Sequence, residues 1–391
     1  MSDQTSATTS ELHEQPPLVI ALVTPAGPGS GGGTQQVLRR MIPRWVADGH
    51  RITLLTHPVD ERWDGLPSAV EVVPLPPPSP RAMHSTLGLV ASARAAVRAA
   101  RTIRRTARAR PRAVILPFLP GTAILTLLAT CGLGRRVVPC ERNDPTRQRL
   151  HPVVEWARRL LYRRAAAVTA NTEVAQEAFQ RMLRGRVPVR LVANPLPDWP
   201  APDPSAPRDD LIVSVGRLVP QKRHDDVIRA FALIATDHPS WRLKIVGAGP
   251  ERERLEQLVA ELSLTPRVDL VGHVEDVRPT LIRARVLVLA SEFEGTPNVL
   301  LEGLMAGLDA AVSEAVPPLP GPLELSEPLS RFPVGDTATL AGTLERLIGD
   351  LQSRPASALG PVLNGNVRFA QSAENTWKDV LSSTEIVGPV R

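Results

Sequence analysis

The sequence predicts an α/β protein built from two tandem doubly wound domains that face each other across a cleft. Three observations lead there. At 391 residues the chain is too long for one ordinary core and long enough for two, each burying most of its apolar surface. Short apolar runs of strand length alternate with helix-length segments along both halves, the pattern of parallel sheets wrapped by helices. Six prolines between Asn194 and Pro207 interrupt this alternation, so residues 194–208 read as a semi-rigid linker.

In the first half the strand-like runs are Leu18–Val23, Arg51–Thr56, Val70–Leu75, Ala113–Leu116, Arg136–Cys140, Ala166–Ala170 and Val189–Ala193. Helices are expected over Thr34–Ala47 and Leu87–Ala109. The apolar stretch Ala113–Gly134 is cut by Pro117, Pro120 and Gly121, so no piece reaches the roughly 20 residues of a membrane-spanning helix. It reads as a buried strand, a turn and a buried helix. The second half repeats the alternation, with strands over Leu211–Gly216, Trp241–Gly247, Arg267–Gly272, Arg285–Ser291 and Asp309–Glu314. Helices are expected near Asp225–Ala235, Pro250–Leu262, Val277–Ala284 and Pro297–Ala306. These elements divide the chain into a tail over 1–17, a domain over 18–193, the linker, and a second domain over 209–365.

A hydrophobic content of 43% with 22% charged residues fits a globular protein and excludes a disordered or fibrous one. Met1–Gln15 is polar and lacks an apolar core, so it reads as a disordered tail and not an export signal. Cys131 and Cys140 lack metal-type or disulfide-rich spacing, which fits a reducing compartment; a cytoplasmic location is expected. Charge is divided unevenly. Residues 1–200 hold 27 arginines, no lysine and 14 acidic residues, whereas the remainder is net acidic. A basic half calls for an anionic partner.

Part of that charge is ordered. Arg94, Arg98, Arg101, Arg105 and Arg108 recur at spacings of four, three, four and three, a stripe along one side of a helix. Ala93, Val97, Ala100, Ile103 and Ala107 are expected to line the other side. Such a stripe suits an anionic membrane surface, each arginine contributing about 1 kcal/mol there, or equally an ordinary solvated face. Nucleic acid is not an expected partner, since aromatic residues for stacking are scarce in this stretch.

The densest chemical signal is Ser291–Glu302, SEFEGTPNVLLE. Thr296 suits a helix cap and Pro297 a first helical position, which would leave the amides of Asn298, Val299 and Leu300 open for an anion such as a pyrophosphate. Glu294 and Glu302 flank that site and suit sugar hydroxyls better than phosphate. The bland alternative is a capped surface helix carrying ordinary glutamates. In VGRLVPQK (Val215–Lys222), Arg217 offers a planar fork for phosphate oxygens and Lys222 a point charge. Only three lysines occur in the chain, Lys222, Lys244 and Lys378. In VGAGP (Val246–Pro250), Gly247 and Gly249 allow a ligand near the backbone. Gly27, Gly29 and Gly32 carry a Gly-x-Gly-x-x-Gly spacing, but no acidic residue ends the second strand as a dinucleotide site requires. A loop letting a phosphate or sugar approach is the better reading.

Taken together these residues resemble the large family 4 of retaining glycosyltransferases, which carry two Rossmann-like domains in the arrangement called GT-B. The likeness rests on Glu294 and Glu302 separated by seven residues, on GRLVPQK, VGAGPERERLEQL and GHVEDV, and more loosely on the glycines at 31–33 and on CERNDPTRQR (Cys140–Arg149). The resemblance implies transfer of a sugar from a nucleotide diphosphate sugar, UDP-sugar favoured, to a glycan, lipid-linked or natural-product acceptor. It implies retention of configuration with no metal and no cofactor. Arg217 and Lys222 would hold the pyrophosphate, Glu302 the ribose, Glu294 the donor sugar, the backbone of His273 and Val274 the base, and Gly32 and Gly33 the phosphates from the other side. It also implies that the C-terminal segment 366–391 crosses back onto the first domain. Asp309 departs from the family pattern, which usually has proline there, and PFLPGT (Pro117–Thr122) lacks the histidine many relatives carry. A nucleotide-sugar epimerase or phosphorylase of the same fold, and a non-catalytic membrane-associated binding protein, remain alternatives.

Overall fold

The computed structural model describes residues 18–23, 33–57, 63–76, 86–148, 150–197, 199–200, 202–203, 205–319, 324–325, 329–354, 363–364 and 376–381. The expected tail, Gly27–Gly32 and most of the expected C-terminal segment lie outside them. The first half runs β1 (Leu18–Val23), α1 (Gly33–Ala47), β2 (Ile52–His57), β3 (Val70–Pro74), α2 (Thr86–Ala109), β4 (Val114–Phe118), α3 (Pro120–Ala129), β5 (Arg136–Val137), α4 (Pro152–Leu161), β6 (Val168–Ala170), α5 (Glu173–Leu183) and β7 (Val189–Leu191). The second runs β8 (Leu211–Val215), α6 (His224–Ile234), β9 (Arg242–Val246), α7 (Arg252–Glu261), β10 (Val268–Gly272), α8 (Arg278–Arg283), β11 (Val286–Leu289), α9 (Asn298–Met305) and β12 (Asp309–Ser313). Then follow β13 (Glu324–Leu325), β14 (Ser330–Phe332), α10 (Thr337–Ser353) and β15 (Leu363–Asn364).

The two halves repeat one topology. The first sheet is parallel in the order β3-β2-β1-β4-β5, and bridges Phe118–Cys140 and Cys140–Thr169 lead on to the β6–β7 pair. The second sheet is parallel in the order β10-β9-β8-β11-β12-β14. In each, the chain leaves the central pair (β1 and β4, β8 and β11) in opposite directions, which opens a crevice at the strand C-termini. Strands β4, β11 and β12 are buried along their whole length, which explains their unbroken apolar runs: helices cover both faces.

Some local expectations shift. Pro117 does not end its strand but pairs within β4, where its carbonyl accepts from Cys140 N, and the turn shrinks to Leu119 at φ 77°. Pro120 then opens α3 at a position that needs no amide proton. On α2 the buried row is Ala95, Ala99, Ile103 and Ala107, whereas Ala93 and Val97 are exposed. At about 100° per residue those two positions point well away from the row that Ile103 fixes. Ala100 is half-buried, and the five arginines of the stripe all face outward. Among the elements not foreseen are β14 and the 17-residue α10, capped by Asp336, whose carboxylate accepts from Thr339 N at 2.9 Å.

Residues 376–381 form a helical turn, and Trp377, Val380 and Leu381 lie in the same core cluster as Trp45, Leu54 and Val114 of the first half. Trp377 meets Trp45 edge to face, centroids 5.3 Å apart at 80°, a favourable aromatic geometry. Among the described residues no helix is long and apolar enough to cross a membrane. Trp377→Ala should therefore lower stability by about 3–5 kcal/mol, the usual cost of emptying a large aromatic site. Equilibrium urea denaturation checks this; an unchanged transition would mean that the chain end adds nothing to the first core.

Candidate functional site

The strand ends of the two sheets enclose a cleft of about 390 Å³. Its second-half wall comes from three βα turns. After β8, Gly216 and Arg217 lead into a turn of 3₁₀ helix, Pro220–Lys222. After β9, Gly247 sits at φ 152°, and a Cβ there would fall 1.8 Å from the Gly216 carbonyl oxygen. Gly249 is as constrained: its Cβ would lie 2.2 Å from the Leu218 oxygen. The two turns pack backbone on backbone, so glycine is required for their contact as much as for any ligand. After β11, Gln221 ties the third turn to the first, its Nε2 donating to Phe293 O at 2.8 Å.

On this wall Lys222 pairs with Glu294, whose Oε1 also accepts from Ser291 Oγ at 2.7 Å. Both side chains are largely buried. Arg217 is exposed and its guanidinium makes no hydrogen bond among the described residues. His224, one turn on, is fully enclosed, with Ser214 Oγ 3.2 Å from its Nδ1. Burial, helped by the nearby Lys222 charge, pushes the imidazole pKa down to about 4.

The opposite wall belongs to the first half: Gly33, Gln36, Leu119, Arg142 and Asn171 line it. Helix α1 begins at Gly33 and α9 at Asn298, and the two starts meet in the cleft. Asn298 Nδ2 donates to Gly33 O at 2.8 Å, while Asn298 Oδ1 accepts from Asn194 Nδ2 at 2.8 Å. Asn298 Nδ2 also donates to Gln36 Oε1 at 3.3 Å, and one turn further along each helix Arg40 pairs with the buried Glu302. Positions 36 and 40 of α1 thus face 298 and 302 of α9, an i, i+4 row against an i, i+4 row. Asn194 also donates to Thr296 O at 2.9 Å and accepts from Arg142 Nη1 at 2.8 Å. Gly295 completes the junction; a Cβ there would lie 2.0 Å from Arg142 O.

Of the residues singled out from sequence, the cleft brings together Gly33, Arg217, Lys222, Gly247, His273, Val274, Glu294, Asn298, Val299 and Glu302. Gly32 lies outside the described residues. Gly249 stands behind the wall against Leu218. Leu300 is buried in the core, and its amide donates to Pro297 O at 3.1 Å, so it is not open to an anion. Thr296 does not cap α9 either: Pro297 holds that position, and Thr296 Oγ1 donates to Asn171 O at 2.8 Å across the junction. The chain spends this hydroxyl on joining the halves. Arg40, Arg142, Asn171, Asn194 and Gly295 were missed, because their partners lie more than fifty residues away, most of them more than a hundred, and no local pattern marks them.

In CERNDPTRQR the side chains of Cys140, Glu141 and Asp144 turn inward, whereas Thr146 and Arg147 are exposed. Tyr162 donates to Glu141, which is fully buried, and burial raises the carboxyl pKa despite that bond. Burial likewise pushes the Cys140 thiol up to about 12, which makes it an inert core residue. Arg142 stacks on Phe118 and Trp377, 5.3 and 5.7 Å from the ring centroids.

Comparison with known proteins agrees with this architecture. The model of the family described as Glycosyl transferases group 1 matches residues 197–350, and that of the Glycosyl transferase 4-like domain matches 32–195. An exopolysaccharide phosphotransferase of Streptomyces coelicolor is 34% identical over 230 residues, 56% of this chain and 23% of the relative. A Campylobacter jejuni α-1,4-N-acetyl-D-galactosaminyltransferase acting on an undecaprenol-linked diphosphate glycan is 29% identical over 195 residues, 49% of this chain and 52% of the relative. The chain thus spans about half or less of these curated relatives. Among solved structures, Anabaena HepE in complex with UDP and glucose superposes with a TM-score of 0.70 at 16% identity, covering 95% of this chain and all of that one. Sucrose-phosphate synthase from Thermosynechococcus elongatus gives 0.72 at 18% identity, covering 94% and 97%.

Two outcomes follow from the site's electrostatics. Arg40→Ala strands the Glu302 carboxylate in a buried junction and should cost about 3–5 kcal/mol, with Glu302→Gln in the same chain recovering part of it; denaturant midpoints of the two variants check this. His224 stays neutral when folded down to about pH 4, whereas the unfolded chain takes up its proton near pH 6.5. Below pH 6.5 the unfolded state binds more protons, so stability falls with pH down to about 4, by up to roughly 3 kcal/mol. Urea midpoints at pH 7 and pH 4.5 should show that loss, and His224→Gln should flatten it.

Proposed function

Because the chain belongs to the glycosyl transferases group 1 family, we propose that it moves a sugar from a nucleotide diphosphate sugar to an acceptor held by its first half. One observation carries the reading: two helix N-termini, from α1 and α9, converge on a cleft that also holds Arg217 and Lys222. Each N-terminus acts as roughly half a positive charge with open amides. Four sources of positive potential in one enclosed space suit a doubly charged group, and a diphosphate fills that role.

The glutamates fit the same ligand. Glu294 and Glu302 each have Oε1 taken, by Lys222 with Ser291 and by Arg40, and among the described residues neither makes a protein hydrogen bond through Oε2. That oxygen is left to accept from hydroxyls, Glu294 from the donor sugar and Glu302 from the ribose. The base would stack beside His273 and Val274, and the amides of Asn298 and Val299 would meet the phosphates. UDP is favoured as the carrier, in line with the UDP bound to the Anabaena protein. The names of the curated relatives favour a polysaccharide or lipid-linked acceptor.

As the sugar departs, charge builds on the diphosphate, and Arg217, Lys222 and the helix amides stabilise it in place of a metal ion. Retention of configuration suits this cleft. Inversion needs a base facing the acceptor hydroxyl, and among the described residues the first-half wall offers Gly33, Thr34, Gln35, Gln36, Val37, Leu119, Arg142, Asn143 and Asn171, none a carboxylate or imidazole. On this reading the leaving phosphate takes the acceptor's proton.

Calorimetry with UDP-, GDP- and ADP-sugars in the presence of a chelator should detect one of them, UDP-sugar first, with slow release of the nucleoside diphosphate. Lys222→Met should lower turnover about a hundred- to a thousandfold, the usual loss for a group that stabilises leaving charge, and Glu294→Gln should lower it by loosening the hold on the donor sugar. Glu302→Gln should weaken binding of UDP itself. Failure to bind any nucleotide sugar would end the proposal.

A further inference from the structure

Helix α4 is folded inside out with respect to water. Its buried positions are Arg158 and Leu161, and Arg158 is 0% exposed. The guanidinium pairs with Glu155, lies 3.3 Å from Gln148 Oε1 and sits 5.5 Å from the centre of the Phe179 ring. Outward go Val153 at 65% exposure, Trp156 at 65% and Leu160 at 46%. Their spacings of three and four put them on one ridge. A helix that burned its desolvation cost on an arginine while leaving a tryptophan outside gains nothing from this arrangement in water alone.

The neighbours extend the pattern. Helix α3 packs against both α2 and α4, so the three form one layer over a face of the first sheet. Leu128, at the end of α3, is 52% exposed. On α2, Arg94, Arg98, Arg101, Arg105 and Arg108 all face solvent, and on α4 Arg159 is exposed beside the ridge. The outer surface of this layer is therefore an apolar ridge accompanied by a row of cations.

We propose that this layer docks on an anionic lipid bilayer, with Val153, Trp156 and Leu160 entering the acyl boundary and the α2 arginines at the level of the lipid phosphates. Charge complementarity selects that occupant. A second copy of the chain would bring one arginine row against another, and a soluble polyanion has no use for the ridge. Tryptophan and leucine on an apolar helix face flanked by arginine suit the water–lipid interface. The arginine row is legible in the sequence, and the fold sets the exposed apolar ridge of α4 in the same helical layer. The inference is independent of the transfer reading, because it concerns the outer face and not the cleft.

The test uses the full chain with phosphatidylcholine vesicles, with and without phosphatidylglycerol. The protein should float with the anionic vesicles, and brominated acyl chains should quench its fluorescence. That quenching reports on Trp156, since Trp45, Trp63, Trp241 and Trp377 are buried and Trp199 is half-buried. Combined Val153→Ser, Trp156→Ser and Leu160→Ser should lower vesicle binding at least about tenfold, with thermal unfolding and nucleotide binding retained. Changing the five α2 arginines to glutamine should remove the preference for anionic lipid. No flotation, or flotation that the ridge variant leaves intact, overturns the proposal. So does a concentration-dependent dimer in sedimentation that the ridge variant abolishes while lipid binding persists, since the ridge is then a self-interface.

Discussion

The arrangement depends on holding two helix N-termini against each other. Like ends of two helix dipoles repel, and the repulsion grows as the ends approach. Here Asn298 bridges them, its amide nitrogen on the Gly33 carbonyl and its oxygen accepting from Asn194. Arg40 and Glu302 clamp the helices one turn further along. The protein thus assembles positive potential at one point and offsets the cost with polar contacts that do not themselves neutralise it. On the proposed reading, an anion arriving there would relieve that repulsion.

The same economy governs the Lys222–Glu294 pair. A buried ion pair is weak support for stability, because desolvation takes back most of what the attraction gives. Its value lies in keeping two opposite charges poised in an enclosed cleft. On the proposed reading Arg217, exposed at the cleft, is the group left to meet a diphosphate first, and Lys222 would exchange its carboxylate for phosphate. The three turns that carry these residues are locked together by the Gly247–Gly216 and Gln221–Phe293 contacts, so the exchange is made on a fixed wall.

How much was legible in the sequence follows from the range of each interaction. The turns after β8, β9 and β11 were readable because each is local: strand, glycine or proline, helix, with the chemical side chain at a fixed offset. The doubly wound topology was readable from apolar runs for the same reason. The junction was not. Thr296 looked like a helix cap, since the local rule sees only the following amides, and it bonds Asn171 instead. Arg40 looked like one arginine among many until α9 was placed beside it. Helix α10 is a different case, because its signal was present and overlooked: Asp336 precedes a row at Leu340, Leu344, Leu347 and Leu351 with helical spacing.

The uneven charge of the two halves gains a location from the fold. Arginine in the first half is used in two ways that composition cannot separate. Arg142 and Arg158 are spent inside, stacking on aromatic rings and holding the segment that leads to the cleft. The α2 row is left outside. Burying an arginine in α4 frees the opposite side of that helix for Val153, Trp156 and Leu160, so the internal polar network and the external apolar ridge are two consequences of one choice of rotation about the helix axis. Turning α4 by half a turn would bury the tryptophan and expose the arginine, the arrangement a purely aqueous surface favours. That the chain holds the other orientation, with Arg158 fixed from several sides, ties the geometry of the first half to the make-up of its outer face.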